Sequence, residues 1–267
     1  MRRQIEGFLT DASPASAPGG APAGVAPHAG WAFSGAIAAL VIASLDREAE
    51  TVVVVGGHLG RADRVLAARE DGYETPLGLI AADTELLGAI EAESPLQSDD
   101  QPDNTVEVQL PMVRHFFPRA RALALRAPPR VDSYELGKLI ARSALLLGRR
   151  VAVLGSTDLT HYGPNYGLTP RGTGRRALQW VRDENDARII RAMEAMDPVA
   201  VVAAAAEGRC ACSAGGAVAA MGFGAARSAT TGVLLRYATS HDVHPDESFV
   251  GYAGLVFARA PGVSERV

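Results

Sequence analysis

Apolar residues in this chain come as short dense runs and as longer amphipathic stretches, separated by breaks rich in glycine, proline and acidic residues. The segment Thr51–Val55 ends in four consecutive valines, and Val151–Leu154 is a second short apolar run. Runs of this length without polar alternation predict strands covered on both faces. The longer stretches predict helices over Ala36–Leu45, Thr84 to about Glu93, Asp132 to about Leu147 and about Arg175 to Met196. Asp132-Ser133-Tyr134-Glu135 has a capping-box pattern at the start of one of them. Asn104–Pro111 predicts a capped helix that Pro111 kinks or limits, and Tyr73–Ala82 reads as sheet-like. The tail supplies two strands, Gly232–Ser240 and Ser248–Arg259, joined by the turn His241–Asp246. So short a connection implies an antiparallel pair and therefore a mixed sheet. Strand–helix alternation predicts a single α/β domain over residues 25–267, with residues 1–24 as an irregular N-terminal lead-in that is Pro/Ala/Gly/Ser-rich from Thr10 to Gly24.

Composition narrows the function classes. The chain has 267 residues, 48% of them hydrophobic, enough for a substantial core. Its 26 basic and 30 acidic residues leave a net charge of −4, and Arg171–Arg176 is the only short basic cluster, so no nucleic-acid partner is expected. Met1-Arg2-Arg3 is followed by Gln4-Ile5-Glu6-Gly7, which lacks the apolar region of an export signal. The Ala-rich run Val199–Ala206 ends at a charged triplet, well short of the roughly 18 residues that span a bilayer. The expectation is a soluble, cytoplasmic protein with no membrane association. Cys210 and Cys212 are too close to bridge comfortably and read as reduced thiols, or as one ligand and one bystander. No glycine-rich phosphate loop is present. Ala211-Cys212-Ser213-Ala214-Gly215 loosely matches a nucleophile elbow, but it follows a helical segment rather than a strand, which argues against a serine hydrolase.

Three of the six histidines stand in small-residue turns at the ends of apolar runs: Pro27-His28-Ala29-Gly30, Gly56-Gly57-His58-Leu59-Gly60 and Ser156-Thr157-Asp158-Leu159-Thr160-His161. An exposed imidazole on a rigid turn suits a metal ligand; it equally suits a backbone cap. Asp158, three residues before His161, could hold its tautomer in an acid–base pair or simply cap the turn.

The blocks Pro27–Gly35, Glu107-Val108-Gln109-Leu110-Pro111, Ser156–Gly163 and Val250-Gly251-Tyr252-Ala253 occur in the order found in the Memo family, called AmmeMemoRadiSam system protein B in prokaryotes, and the chain resembles that family from Pro27 to Ala258. The resemblance implies a single three-layer α/β/α domain with a central mixed sheet, similar to class III extradiol ring-cleavage dioxygenases. It also implies a non-haem metal pocket, with His28, His58 and Cys212 as ligands and Cys210 as the bystander. Asp158 and His161 match the catalytic Asp-x-x-His block, and Asn104 and Glu107 fall at substrate-binding positions. The family's Glu-His-Ser triplet is replaced by Asp103-Asn104-Thr105, an amide where a titratable imidazole is expected. The implied cofactor is Fe(II), with Zn(II) or copper as alternatives because a thiolate ligand does not select iron. The implied function is an iron-dependent, dioxygenase-like oxidoreductase acting on a small molecule. The alternatives are a zinc-dependent hydrolase and a non-catalytic metal- or partner-binding protein, and the resemblance names radical SAM and AMMECR-type proteins as functional partners.

Overall fold

The computed structural model describes residues 1–10, 19–101 and 103–260. Its frame is a set of parallel strands, β1 (Ala23–Ala26), β2 (Thr51–Gly56), β7 (Arg121–Arg126) and β8 (Val151–Ser156), of which β1, β2 and β8 end in the histidine turns. The order β1-β8-β2-β7 is parallel throughout. Short pieces β3 (Leu66–Ala67) and β6 (Gln97–Ser98) extend one edge, while β4 (Gly72–Tyr73) and β5 (Ile80–Ala81) pair separately. On the other side β11 (Phe249–Ala258) runs antiparallel to β1, and β10 (Thr231–Thr239) antiparallel to β11; the two-residue β9 (His161–Tyr162) also pairs with β11. The sheet is therefore mixed, as the short terminal connection requires.

Alternate valines of β2 serve opposite layers. Val52 and Val54 pack with α1 (Arg2–Thr10), α2 (Trp31–Ser44) and α5 (Leu110–Phe116). Val53 and Val55 pack with α3 (Thr84–Glu93), α6 (Ser133–Leu146), α8 (Ala187–Glu194), α9 (Pro198–Gly208) and α10 (Ala214–Ala226). The result is α/β/α, with no polar face on the central strands because both faces are covered.

Several expectations are corrected. Within the expected irregular lead-in of residues 1–24, Arg2–Thr10 is a helix, because Ile5 is fully buried with Phe8 and Leu9 against the α2 layer; residues 11–18 of that lead-in lie outside the described residues. Asp132 does not form the capping box: its carboxylate pairs with Arg130, and the Ser133 hydroxyl donates to the Pro128 carbonyl. The expected kinked helix at 104–111 is two helices, α4 (Asn104–Glu107) and α5, with Pro111 in the first turn of the second, where a missing N–H costs nothing. Asp103, not Asn104, is the N-cap of α4. The helix expected over Arg175–Met196 is α7 (Arg175–Trp180), then one π turn over Val181–Asp186, then α8.

Two glycines let α10 sit directly on the strand ends. A Cβ on Gly216 would stand 2.3 Å from the Val55 carbonyl oxygen, and one on Gly155 would stand 2.5 Å from that of Gly216. This close approach brings the segment leading into α10, which carries Cys212 and Ser213, over the ends of β2 and β8.

Candidate metal centre

His28 follows β1, His58 follows β2, and Asp158 and His161 follow β8, so all four stand at the carboxyl ends of parallel strands. Open α/β sheets place their ligand sites there. His58 is held at φ 56°, in the left-handed region that a non-glycine residue occupies only when its surroundings impose it. Two neighbours impose it here: Gly57 N–H donates to Thr105 Oγ1 at 3.1 Å, and His58 N–H donates to Ser213 Oγ at 3.3 Å. A side chain on Gly57 would collide with Ser213 at 2.5 Å.

The three expected ligands converge. One ligand atom from each of His28, His58 and Cys212 lies within 4.8 Å of the others, and this is the one such group of histidine, cysteine and acidic side chains among the described residues. Cys212 Sγ is 3.2 Å from His28 Nε2, and the two imidazole rings meet edge to face with centroids 5.1 Å apart. Ligands at about 2.0–2.3 Å around a tetrahedral ion are themselves about 3.3–3.6 Å apart, so the donor set fits a small divalent metal after slight adjustment. Cys210, the expected bystander, is fully buried and its thiol donates to the Ala204 carbonyl at 3.1 Å.

Each ligand has a dedicated support. Asp158 Oδ1 accepts the His28 backbone N–H at 2.7 Å, and its other oxygen is 3.9 Å from His28 Nε2. His28 Nδ1 is 3.1 Å from Ser156 Oγ. His58 Nδ1 faces Asp103 Oδ2 at 3.4 Å. Cys212 N–H donates to the Asp158 carbonyl at 3.2 Å, and Ser213 N–H to Thr157 Oγ1 at 3.1 Å, so the cysteine segment is laced to the β8 turn.

Burial dominates the electrostatics. It pushes the His28 imidazole down to about 3, assisted by the neighbouring His58. It lifts the Cys212 thiol to about 12, with the Asp158 charge adding to the rise. It also raises the Asp158 carboxyl to about 6, against the hydrogen bond from His28 N–H and the charge of His161. His28 and Cys212 therefore face each other as a neutral imidazole and a neutral thiol.

His161 Nδ1 is 3.1 Å from the Leu159 carbonyl, an obligate acceptor, so the proton sits on Nδ1 and Nε2 is the basic nitrogen. Its ring rests edge-on against Tyr166 at 5.1 Å between centroids. Asn104 and Glu107, the expected substrate-binding residues, are both exposed. Glu107 lines a recess of about 230 Å³ with Asp99, Asp103 and Tyr73.

The residue that the sequence did not single out is Asp103. Buried Arg126 grips Asp99 through two bonds of 2.7 Å and reaches Asp103 Oδ2 at 2.9 Å, so the oxygen facing His58 is also tied to a guanidinium. Burial works against ionisation of Asp103, but its bonds from Thr105 and the charges of Arg126 and His58 outweigh it and hold the carboxyl below its usual range. The available signal was the acid directly before a helix start; nothing local announces that it reaches the His58 turn.

Residues 1–256 match the family model described as Memo-like protein. The chain belongs to the Memo-like family. A MEMO1 family protein of Pyrococcus abyssi is 33% identical over 253 residues, covering 89% of this chain and 87% of the relative. One of Methanopyrus kandleri is 31% identical over 249 residues, covering 89% and 83%. A solved structure of an uncharacterized protein from Escherichia coli K12 aligns over 88% of this chain and 98% of its own, with a TM-score of 0.49 and 11% identity. The Memo-like membership and the mixed α/β sheet agree with the resemblance read from the histidine blocks.

Proposed function

We propose that this Memo-like protein binds a transition metal through His28, His58 and Cys212 and uses the site for small-molecule chemistry of the iron-dependent, dioxygenase-like class. The observation that carries the reading is the convergence of two imidazoles and a thiol from three distant segments, each with its own support. The bound ion would supply a Lewis acid or redox centre. Around it, Asp158 orients His28, while His161 offers Nε2 as the group that takes or gives a proton. Tyr252 is buried against Ile37 and Val250, and burial raises its phenol, so it stays neutral.

The thiol donor favours a second reading, a Zn(II) or copper site, because soft sulfur suits those ions at least as well as Fe(II). Elemental analysis of protein purified without oxygen, followed by oxygen-uptake assays with catechols, separates the two. Stoichiometric iron with uptake supports the first reading; stoichiometric zinc with hydrolytic activity supports the second. Protein that takes up none of these metals at micromolar concentration refutes the site.

A further inference from the structure

Gln109 is 1% exposed and its amide sits beside two oxygens: Nε2 lies 2.8 Å from the Pro27 carbonyl and 3.1 Å from Ser156 Oγ, while Oε1 is buried without a partner among the described residues. The Pro27 carbonyl can only accept, so the atom facing it must be the amide nitrogen. A flipped amide would set two acceptors against each other. The second amide hydrogen then points at Ser156 Oγ, whose residue is fully buried and whose oxygen lies 3.1 Å from His28 Nδ1.

Because Gln109 fills an acceptor position on the serine oxygen, the serine proton is directed to His28 Nδ1, against the pull of the Ser156 carbonyl, the other acceptor beside this ring. If Nδ1 carried the proton instead, it would turn to the serine oxygen or its carbonyl and leave the serine hydrogen unpaired in the interior, a cost equivalent to about tenfold in population. With Nδ1 accepting, the ring proton is on Nε2 and faces Cys212 Sγ at 3.2 Å, and the thiol in turn faces the Asp158 carbonyl at 3.6 Å. The contacts form one head-to-tail chain. We propose that Gln109, acting through Ser156, is a positioning residue that fixes the tautomer of His28, keeping the proton on Nε2 in the metal-free protein. A metal at Nε2 requires the opposite tautomer, with the proton moved to Nδ1, so this chain tunes affinity. Of the two protons that leave Nε2 and the thiol, one returns to Nδ1 and one is released to solvent.

The test is Gln109→Glu. The oxygen facing Pro27 either carries the carboxylic proton or is an ionised acceptor; in both cases the oxygen facing Ser156 accepts, and the chain reverses. Long-range nitrogen–proton NMR of labelled, metal-free protein should show the proton on Nε2 in the wild type and on Nδ1 in the variant. A wild type with the proton on Nδ1, or a folded variant with an unchanged ring, overturns the proposal. If the variant does not fold, Gln109→Met replaces it: losing the donor frees Ser156, and the Nε2–H share should fall, an unchanged share being the refuting result. A second measurement rests on the metal-site reading. Co(II) titration followed by thiolate-to-metal absorbance should show about tenfold tighter binding in Gln109→Glu, and that gain should vanish when Ser156→Ala is added. A gain that survives Ser156→Ala means the new charge acts directly and refutes the relay. Failure of all variants to bind Co(II) refutes the metal site and leaves the NMR result to decide the tautomer.

Discussion

Asp186 should make the protein less stable as pH rises through neutrality, and Asp186→Asn should remove that loss. Its carboxylate closes the π turn: Oδ1 accepts from Thr160 N–H at 3.1 Å and from the Thr160 hydroxyl at 2.5 Å, and Oδ2 from the Tyr237 hydroxyl at 2.8 Å. Complete burial outweighs these bonds and raises the carboxyl from 3.8 to about 6. The folded state therefore binds the proton more tightly than the unfolded chain. The resulting stabilisation is fully present below the unfolded value near 3.8 and is lost as pH rises through about 6. At 1.36 kcal/mol for each unit, the whole effect is roughly 3 kcal/mol, of which roughly 1.3 kcal/mol falls between about pH 5 and pH 7.5. In the variant the amide oxygen keeps both Thr160 bonds and the amide nitrogen donates to the Tyr237 oxygen once that hydroxyl turns. Urea unfolding of both proteins across that pH range measures the difference directly. With an m-value of about 3 kcal/mol/M, the variant's midpoint should gain roughly 0.4 M on the wild type between the two pH values. Parallel profiles would show that Asp186 does not carry this proton, and a variant that loses ground as pH rises would reverse the sign of the argument.

Cys212→Ser should abolish stoichiometric metal binding, whereas Cys210→Ser should retain it, because only the Cys212 sulfur reaches the two imidazoles; equal metal content in the two would refute the ligand assignment. Asn104→His should leave metal affinity within about twofold, since Asn104 is exposed and Asp103 is the residue facing His58; isothermal titration with Zn(II) measures it. Arg126→Met should cost about 3–5 kcal/mol in urea unfolding, because two acids in a nearly buried cluster lose their only recorded guanidinium. Gly216→Ala should lose about 2 kcal/mol or more through the clash with the Val55 carbonyl, while Gly30→Ala, with nothing within 4 Å of the added methyl, should lie within about 0.5 kcal/mol of wild type.

The site was more legible in the sequence than the elements that hold it. His28 and His58 stood in small-residue turns at strand ends, where side chains converge, whereas Cys212 was reached only through the family resemblance; the fold brings the three together. The strand Arg121–Arg126 went unread because Arg-Ala-Leu-Ala-Leu-Arg has no β-branched residue; burial between β2 and β3 makes it a strand despite that composition. Helix α10 went unread for the opposite reason. Gly215, Gly216, Gly222 and Gly224 each weaken an isolated helix, yet added side chains at Gly215, Gly216 and Gly222 would strike backbone oxygens at 2.0–2.3 Å. Local propensity there was given up for close approach, and that approach is what delivers Cys212 to the imidazoles.

The π turn extends the same reasoning to the β8 turn. Asn185 donates both to Thr160 Oγ1 and to the Gly208 carbonyl, each at 2.9 Å, while Asp186 takes Thr160 and Tyr237. One extra residue in a helix thus ties the Asp158–His161 turn to the end of α9, four residues before Cys212, and to β10. No periodicity in Val181–Asp186 marks the insertion, because a single π turn shifts the facing of side chains only by contacts made across the fold. An acid placed at complete burial costs stability at neutral pH, as the Asp186 linkage requires. Its three hydrogen bonds explain what that cost maintains: Thr160 is held between the two candidate proton-handling residues, Asp158 and His161, so the spacing between them is set by the sheet and the π turn together and not by the loop alone.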